Sequence, residues 1–258
     1  MTTPIDRRRA LGLLGAGAGA ALLAACGGGS DGSAEVTTTT PSTAEAPSST
    51  TSAVPAATGA VTAEMFDGGA SCMLAPSQTE GPYYIDVDKI RSDVREDRLG
   101  TRLRVAARVV GTDGCTPIKD AVFEIWHCDA DGLYSGFESA STGGPGGGVR
   151  DQKRYLRGAQ VTNADGIAEI TSIYPGWYRG RTVHIHVKVF VSNAEVLTTQ
   201  LFFDESLSDQ VYAAAPYDAN GTRDVTNEND GIFSSQTVMT VKRDGDGYLG
   251  LITLGVQR

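Results

Sequence analysis

Residues 174–186 read YPGWYRGRTVHIH, and the chain runs on as VKVFV to Val191. From Thr182 onward the β-branched, apolar and histidine residues predict a strand over 182–191, the best strand pattern in the chain. On a strand, side chains at i and i+2 share a face. His184 and His186 then project together, with Ile185 turned toward a core, and two imidazoles so placed can hold one metal ion between them. Tyr178, on a Pro-Gly turn six residues before the first histidine, adds a phenol that can complete a ligand set. The whole chain holds three histidines, so two of them at this spacing is not casual usage.

Other strand patterns surround this one. RLRVAARVV (102–110) alternates, VFEIWH (122–127) follows a turn-rich loop, and LTTQLFF (197–203) is a hairpin partner for the histidine strand. AQVTNADGIAEI (159–170) reads as a hairpin around Asn163–Gly166, and two more strands flank the Asp-Gly turn at 244–247. SLSDQVYAAA (206–215) is the one good helical stretch. Short strands at intervals of about a dozen residues predict an all-β fold, a β-sandwich core with irregular loops and little helix. Residues 64–258 are a comfortable length for a single domain.

The N-terminus reads as an address. Arg7, Arg8 and Arg9 precede an apolar run from Ala10 to Ala25, too short for the ~20 residues that span a bilayer, so residues 1–26 are expected to be a signal peptide. The arginine group followed by Ala-Leu resembles a twin-arginine signal, read here over the Sec route. Leu23-Ala24-Ala25-Cys26 resembles a lipobox, which implies cleavage before Cys26 and a lipid on its sulfur. Residues 27–63 are almost entirely Gly, Ser, Thr, Pro, Ala and Val without an aromatic residue, a disordered linker whose coil dimension is about 30–35 Å. The protein is therefore expected to be exported and held at a membrane through an N-terminal lipid alone.

The formal charge is −9, and it becomes two units more negative without residues 1–25, which carry three arginines and one aspartate. That balance argues against nucleic acid and anionic lipid surfaces as partners. Beyond Cys26 stand Cys72, Cys115 and Cys128; outside the cytoplasm one disulfide is expected, with three pairings open. TGGPGGG (142–148) does not join a strand to a helix, so it reads as a surface loop and not a phosphate cradle.

The context of the histidine pair is specific as an ordered set. TEGPYY (79–84), EIW (124–126), GLYS (132–135), RGAQVTNADG (157–166), PGWY (175–178), RTVHIH (181–186) and TTQLFF (198–203) occur in that order. In this respect the chain resembles the intradiol ring-cleavage dioxygenases, the family of protocatechuate 3,4-dioxygenase and catechol 1,2-dioxygenase. The resemblance covers about Gln78 to Phe203. It implies one Fe(III) per domain, held by Tyr134, Tyr178, His184 and His186, with no NAD, flavin or haem. Phenolate is a hard anionic donor that favours the ferric state, and imidazole suits iron in either state.

The resemblance further implies a catecholic small-molecule substrate and O2 as co-substrate. The catechol loses both protons, one to a hydroxide that the resemblance adds to the ligand set and one to Tyr178, and the ring opens between its hydroxylated carbons to a muconate-type diacid. Arg181 matches an arginine beside the substrate, where it can stabilise anionic character on the ring; a salt-bridged arginine is the plainer alternative. Gln200 matches a glutamine whose amide lies near the metal, and Pro82, Tyr83 and Trp177 are candidate pocket walls. His127, Tyr174, Tyr84 and Tyr155 fall on no ligand position. Five residues separate Tyr178 from His184, a short loop that leaves substrate size open. Two rival readings are a copper or zinc site built from His127, His184 and His186, and a non-catalytic exported sandwich that keeps the scaffold.

Overall fold

A computed structural model of the chain describes residues 59–66, 72–141 and 151–257. The signal peptide read over 1–26 with Cys26, the linker as far as residue 58 and the glycine-rich run at 142–148 lie outside the described residues. Among the described residues are eight strands in two four-stranded sheets. One sheet is built from β1 (Arg102–Gly111), β4 (Ile167–Ile173), β7 (Thr240–Asp244) and β8 (Gly247–Val256), in the order β4-β1-β8-β7. The other contains β2 (Val122–Trp126), β3 (Arg157–Val161), β5 (His184–Val191) and β6 (Ala194–Phe202), in the order β3-β2-β5-β6. Two α-helices, α1 (Glu138–Ser141) and α2 (Glu205–Tyr212), and three 3-10 turns are the other regular elements among the described residues. This is the expected all-β sandwich with little helix.

Alternate residues of each strand form the core. Leu103, Val105, Ala107 and Val109 of β1 and Ile252 and Leu254 of β8 share one apolar cluster with Phe123 and Ile125 of β2 and Ile185, Val187 and Val189 of β5. A buried aliphatic side chain of this kind contributes about 1.5–3 kcal/mol. The odd-numbered residues of β5 are thereby committed to the core, and His184, His186 and Lys188 face the other way.

The stretch 159–170 is not a hairpin. Its turn forms, with Asn163 Oδ1 accepting from the amides of Asp165 and Ile167 at 2.9 Å each and Gly166 in the left-handed region at φ 74°. The flanking strands then part. β3 pairs with β2, and β4 pairs with β1 over seven residues, so the turn is an arch from one sheet to the other. A tight turn fixes local geometry but not the partner, and here each strand joins a different sheet, β3 beside β2 and β4 beside β1. The β5–β6 hairpin does form, closed by Ser192 and Asn193 at φ 50° and 67°, the left-handed pair that a two-residue turn needs. The β5 ladder begins at His184, because the amide of Thr182 is taken by the Asp230 carboxylate at 2.8 Å.

A belt of irregular chain crosses the outer face of the second sheet from edge to edge. The amide of Gln78 donates to Thr198 of β6, the ring of Tyr84 meets Trp126 of β2 at 4.9 Å, and the amide of Arg91 donates to Ala159 of β3. This is why β5 is buried on both faces, with Val191 alone half-buried. Residues 59–63, the end of the stretch read as linker, lie against the first sheet, where Val61 and Ala63 pack on Phe66, Ala106 and Leu251. Among the described residues no helix is long and apolar enough to cross a membrane.

Of the three cysteine pairings left open by the sequence, the structure forms Cys72–Cys115, with Cα atoms 5.2 Å apart, and leaves Cys128 as a buried thiol. The bond ties the start of the belt to the loop after β1. Replacing both bonded cysteines with serine should cost about 2–4 kcal/mol in urea unfolding. Cys128 should react with a thiol reagent only after denaturation, and labelling followed by mass spectrometry checks this.

Candidate metal centre

Two loops and one strand bring four donor side chains together. Tyr134 lies in the loop after β2, where the Asp129 carboxylate accepts from the amides of Asp131 and Leu133. Tyr178 lies in the loop between β4 and β5. The two loops meet backbone to backbone. The amide of Gly176 donates to the carbonyl of Asp129 at 3.0 Å. A Cβ on Gly176 would collide with the carbonyls of Asp129 and Ala130, and one on Gly132 with the carbonyl of Trp177. The DADG turn and the PGWY turn therefore need glycine for close approach, and their contact sets the spacing of the phenols.

The donor atoms converge. His184 Nε2 is 3.1 Å from His186 Nε2, 3.1 Å from the Tyr178 hydroxyl and 3.5 Å from the Tyr134 hydroxyl. His184 Nδ1 lies 2.6 Å from the Thr182 carbonyl, which fixes its proton there and leaves Nε2 as a lone pair facing the cluster. His186 stacks on Trp126, with centroids 4.8 Å apart and planes 6° from parallel, and its buried Nδ1 has no hydrogen-bond partner among the described residues. Burial, reinforced for His184 by the Arg181 charge, pulls the His184 pKa down to about 3; burial and then the neighbouring His184 push that of His186 well down too. Burial raises both phenols above their usual range. Without a metal, all four groups are neutral at pH 7.

This arrangement fits a metal ion. Donor atoms bonded to one cation at about 2.1 Å stand about 3.0–3.4 Å apart, and the observed separations of 3.1–3.5 Å match that spacing. The lone pair of His184 Nε2 faces His186 Nε2 and two phenol oxygens in a water-poor pocket, a donor set that a cation would satisfy better than the groups satisfy one another. Among the described residues there is no group of three or more His, Cys, Asp and Glu able to hold a metal, so the set depends on the phenols. His127 is not part of it: its Nδ1 meets the Cys128 carbonyl at 2.7 Å and its Nε2 meets Ser172 Oγ at 2.6 Å. That removes the copper or zinc reading built on three histidines. The hydroxyls of Tyr174, Tyr84 and Tyr155 bond to Ser208, Glu124 and Glu138.

The remaining candidates divide. Tyr83 and Trp177 line a cleft of about 480 Å³ together with Gly132, Leu133, Tyr178 and Arg179. Tyr83 also stacks on Tyr134 at 4.6 Å. Pro82 is exposed and is not among the cleft-lining residues, because the belt turns its ring outward. Gln200 is fully buried opposite His186, but its amide is spent on the protein: Oε1 accepts from Arg181 at 2.5 Å and Nε2 donates to the Thr79 carbonyl at 3.0 Å. It therefore braces Arg181 and the belt, one hydrogen bond from each end of its amide. Arg181 is salt-bridged, as the plainer alternative had it, with Nε 2.8 Å from Asp230 Oδ2.

Asp230 was not visible in the sequence, because it lies 44 residues beyond the histidines without a motif. Burial would raise its carboxyl, but the amides of Thr182 and Ile232 and the Arg181 guanidinium hold it below the usual range. Arg157 was likewise missed. It is buried behind Tyr134, grips the carbonyl and hydroxyl of Ser135, and burial lowers its pKa to about 10.

A β-sandwich carrying a buried cluster of two phenols and two imidazoles, roofed by a belt and opening on an aromatic cleft, defines the class of fold and candidate site. Known proteins identify the family. Residues 79–239, more than half of the chain, match the family model described as Dioxygenase. A solved intradiol ring-cleavage dioxygenase from Tetranychus urticae is 36% identical with a TM-score of 0.68, the match covering 72% of this chain and 95% of that one. A chlorocatechol 1,2-dioxygenase from Rhodococcus opacus is 31% identical over 52% of this chain and 56% of its own length. Catechol 1,2-dioxygenase 1 from Acinetobacter lwoffii is 32% identical over 54% of this chain and 47% of its own. The chain thus spans about half the length of these curated relatives. It belongs to the intradiol ring-cleavage dioxygenase family.

The buried histidines make the fold acid-sensitive in a defined window. Burial lowers the pKa of His127 from 6.5 to about 4, so the unfolded chain takes up its proton first as the pH falls. The stabilisation is complete above pH 6.5 and is lost on acidification from there toward pH 4, at about 1.4 kcal/mol per pH unit. Urea unfolding of the metal-free protein between pH 6 and pH 4.5 should show a slope shallower by about that amount in His127→Gln.

Proposed function

We propose that this chain is a ferric-iron-dependent intradiol dioxygenase that adds both atoms of O2 to a catecholic aromatic and opens the ring between the two hydroxylated carbons, giving a muconate-type diacid. The observation that carries this reading is the convergence of Tyr134, Tyr178 and His186 on His184, their donor atoms 3.1–3.5 Å from its Nε2. These four residues would hold the iron. When bound, Fe(III) acts as a Lewis acid toward the two catechol oxygens and makes the ring reactive toward O2.

The chain's own residues do the rest. Tyr178 borders the cleft while Tyr134 is fully buried, so Tyr178 is the phenol placed to accept a catechol proton. The Thr182 carbonyl keeps His184 Nε2 unprotonated toward the centre, and Trp126 holds the plane of His186. Asp230 and Gln200 aim the Arg181 guanidinium, whose charge reaches both histidines and Tyr178 and favours anionic character in a bound ring. Tyr83 and Trp177 give the ring aromatic walls, and the belt keeps water from the His186 side. Export and anchoring through a lipid on Cys26 belong to the same reading; the Cys72–Cys115 disulfide supports an oxidising compartment.

Purified protein loaded with one equivalent of Fe(III) should be reddish-brown from tyrosinate-to-iron charge transfer, and a colourless protein with stoichiometric iron would rule out the ligand set. Oxygen uptake with a panel of catechols, including protocatechuate and hydroxyquinol, should yield diacid products from at least one. Tyr178→Phe should retain iron through three protein ligands and lose about 100-fold or more in kcat. Turnover at the wild-type rate would remove Tyr178 from the role of base.

A further inference from the structure

The outward row of β5 continues past His184 and His186 to Lys188, which is only 6% exposed. Its ammonium lies 2.6 Å from Glu80 Oε2 and 2.7 Å from Glu195 Oε2, and 4.3 Å from the centre of the Tyr84 ring. The two ion pairs differ in the segments they join. Glu195 belongs to β6, so that pair stays within the β5–β6 hairpin, where Thr198 also bonds Glu195. Glu80 belongs to the belt, so its pair ties the belt to the strand that carries both histidines.

The residues just after Glu80 give the tie its purpose. Gly81, at φ 74°, lies so close to His186 that a Cβ there would stand 3.1 Å from the ring carbon Cε1. Two residues further on, Tyr83 stacks on Tyr134 and lines the cleft. Gln200, opposite His186, holds the residue before Glu80 through the Thr79 carbonyl. Two successive ties thus hold the belt just ahead of its contact with His186, Gln200 through Thr79 and Lys188 through Glu80.

We propose that Lys188 is a positioning residue of the metal centre: its ion pair with Glu80 seats Gly81 on His186 and fixes Tyr83 as a wall of the substrate cleft. This rests on the proposed function for its metal and substrate readouts, but not for the placement of the belt. Glu80 and Glu195 provide a matched pair of controls, since each is 43% exposed, each bonds the same ammonium and each loses one charge as glutamine.

The test compares wild type, Lys188→Met, Glu80→Gln and Glu195→Gln as full-length protein. Amide hydrogen exchange over residues 78–85 is read on the iron-free form. Release of iron to a chelator, read from loss of the charge-transfer colour, and KM and kcat for catechol are read on the loaded form. Lys188→Met and Glu80→Gln should raise exchange across the belt, speed iron release about tenfold and raise KM more than they lower kcat, whereas Glu195→Gln stays near wild type. Equal effects of Glu80→Gln and Glu195→Gln, or wild-type exchange and KM in Glu80→Gln, would overturn the proposal. If wild type holds no iron and cleaves no catechol, the metal reading has failed, and the exchange comparison still decides whether Lys188 seats the belt.

Discussion

The period of two along β5 is the constraint on which everything else depends. Ile185, Val187 and Val189 are locked in the sandwich core, so His184 and His186 have no choice of face. A one-residue slip would send both imidazoles into the apolar interior and three aliphatic side chains out. The pairing with β2 and β6 prevents that slip and also delivers Trp126 and Gln200 to either side of His186. The strand is both a structural beam and the mount for half of the donor set.

Keeping four polar groups together away from water has a cost that the fold meets by keeping them neutral. Burial drives imidazole and phenol pKa values apart, so neither type carries charge without a metal. The permanent charges nearby are handled differently. Arg181 has a buried carboxylate in Asp230, and Lys188 has two carboxylates at the end of the row. Arg157 has only the carbonyl and hydroxyl of Ser135, with its Nη1 unpaired among the described residues. Positive groups therefore stand around the centre, Arg181 and Lys188 with carboxylate partners and Arg157 with neutral ones.

Much of this was legible in the sequence because it is written in short-range patterns. Alternation marked β1, β5 and β6, and the His-x-His spacing needed only a strand to become a pair of ligands. Asn163-Ala164-Asp165-Gly166 shows where such reading stops. The turn was visible, but the choice between a hairpin and an arch depends on which distant strand offers the better face. Position near a motif likewise does not say what a side chain meets: Gln200 braces Arg181 and the belt, and Pro82 lies exposed off the cleft. Asp230 and Lys188 act across 49 and 108 residues of chain, and no local signal encodes such partnerships.

The seam between the DADG and PGWY turns has a consequence for how such a site can change. Because Gly132 and Gly176 let two backbones touch, the phenols of Tyr134 and Tyr178 ride on one rigid casting and not on independent loops. An insertion ahead of Tyr178 would wedge the casting open and displace both oxygens at once. An insertion between Tyr178 and Arg181, where Arg179 and Gly180 are exposed, would leave the casting intact and move only the rim. The architecture thus separates a part that must be inherited whole from a margin free to lengthen, and the reach of the cleft can drift there while the chemistry stays fixed.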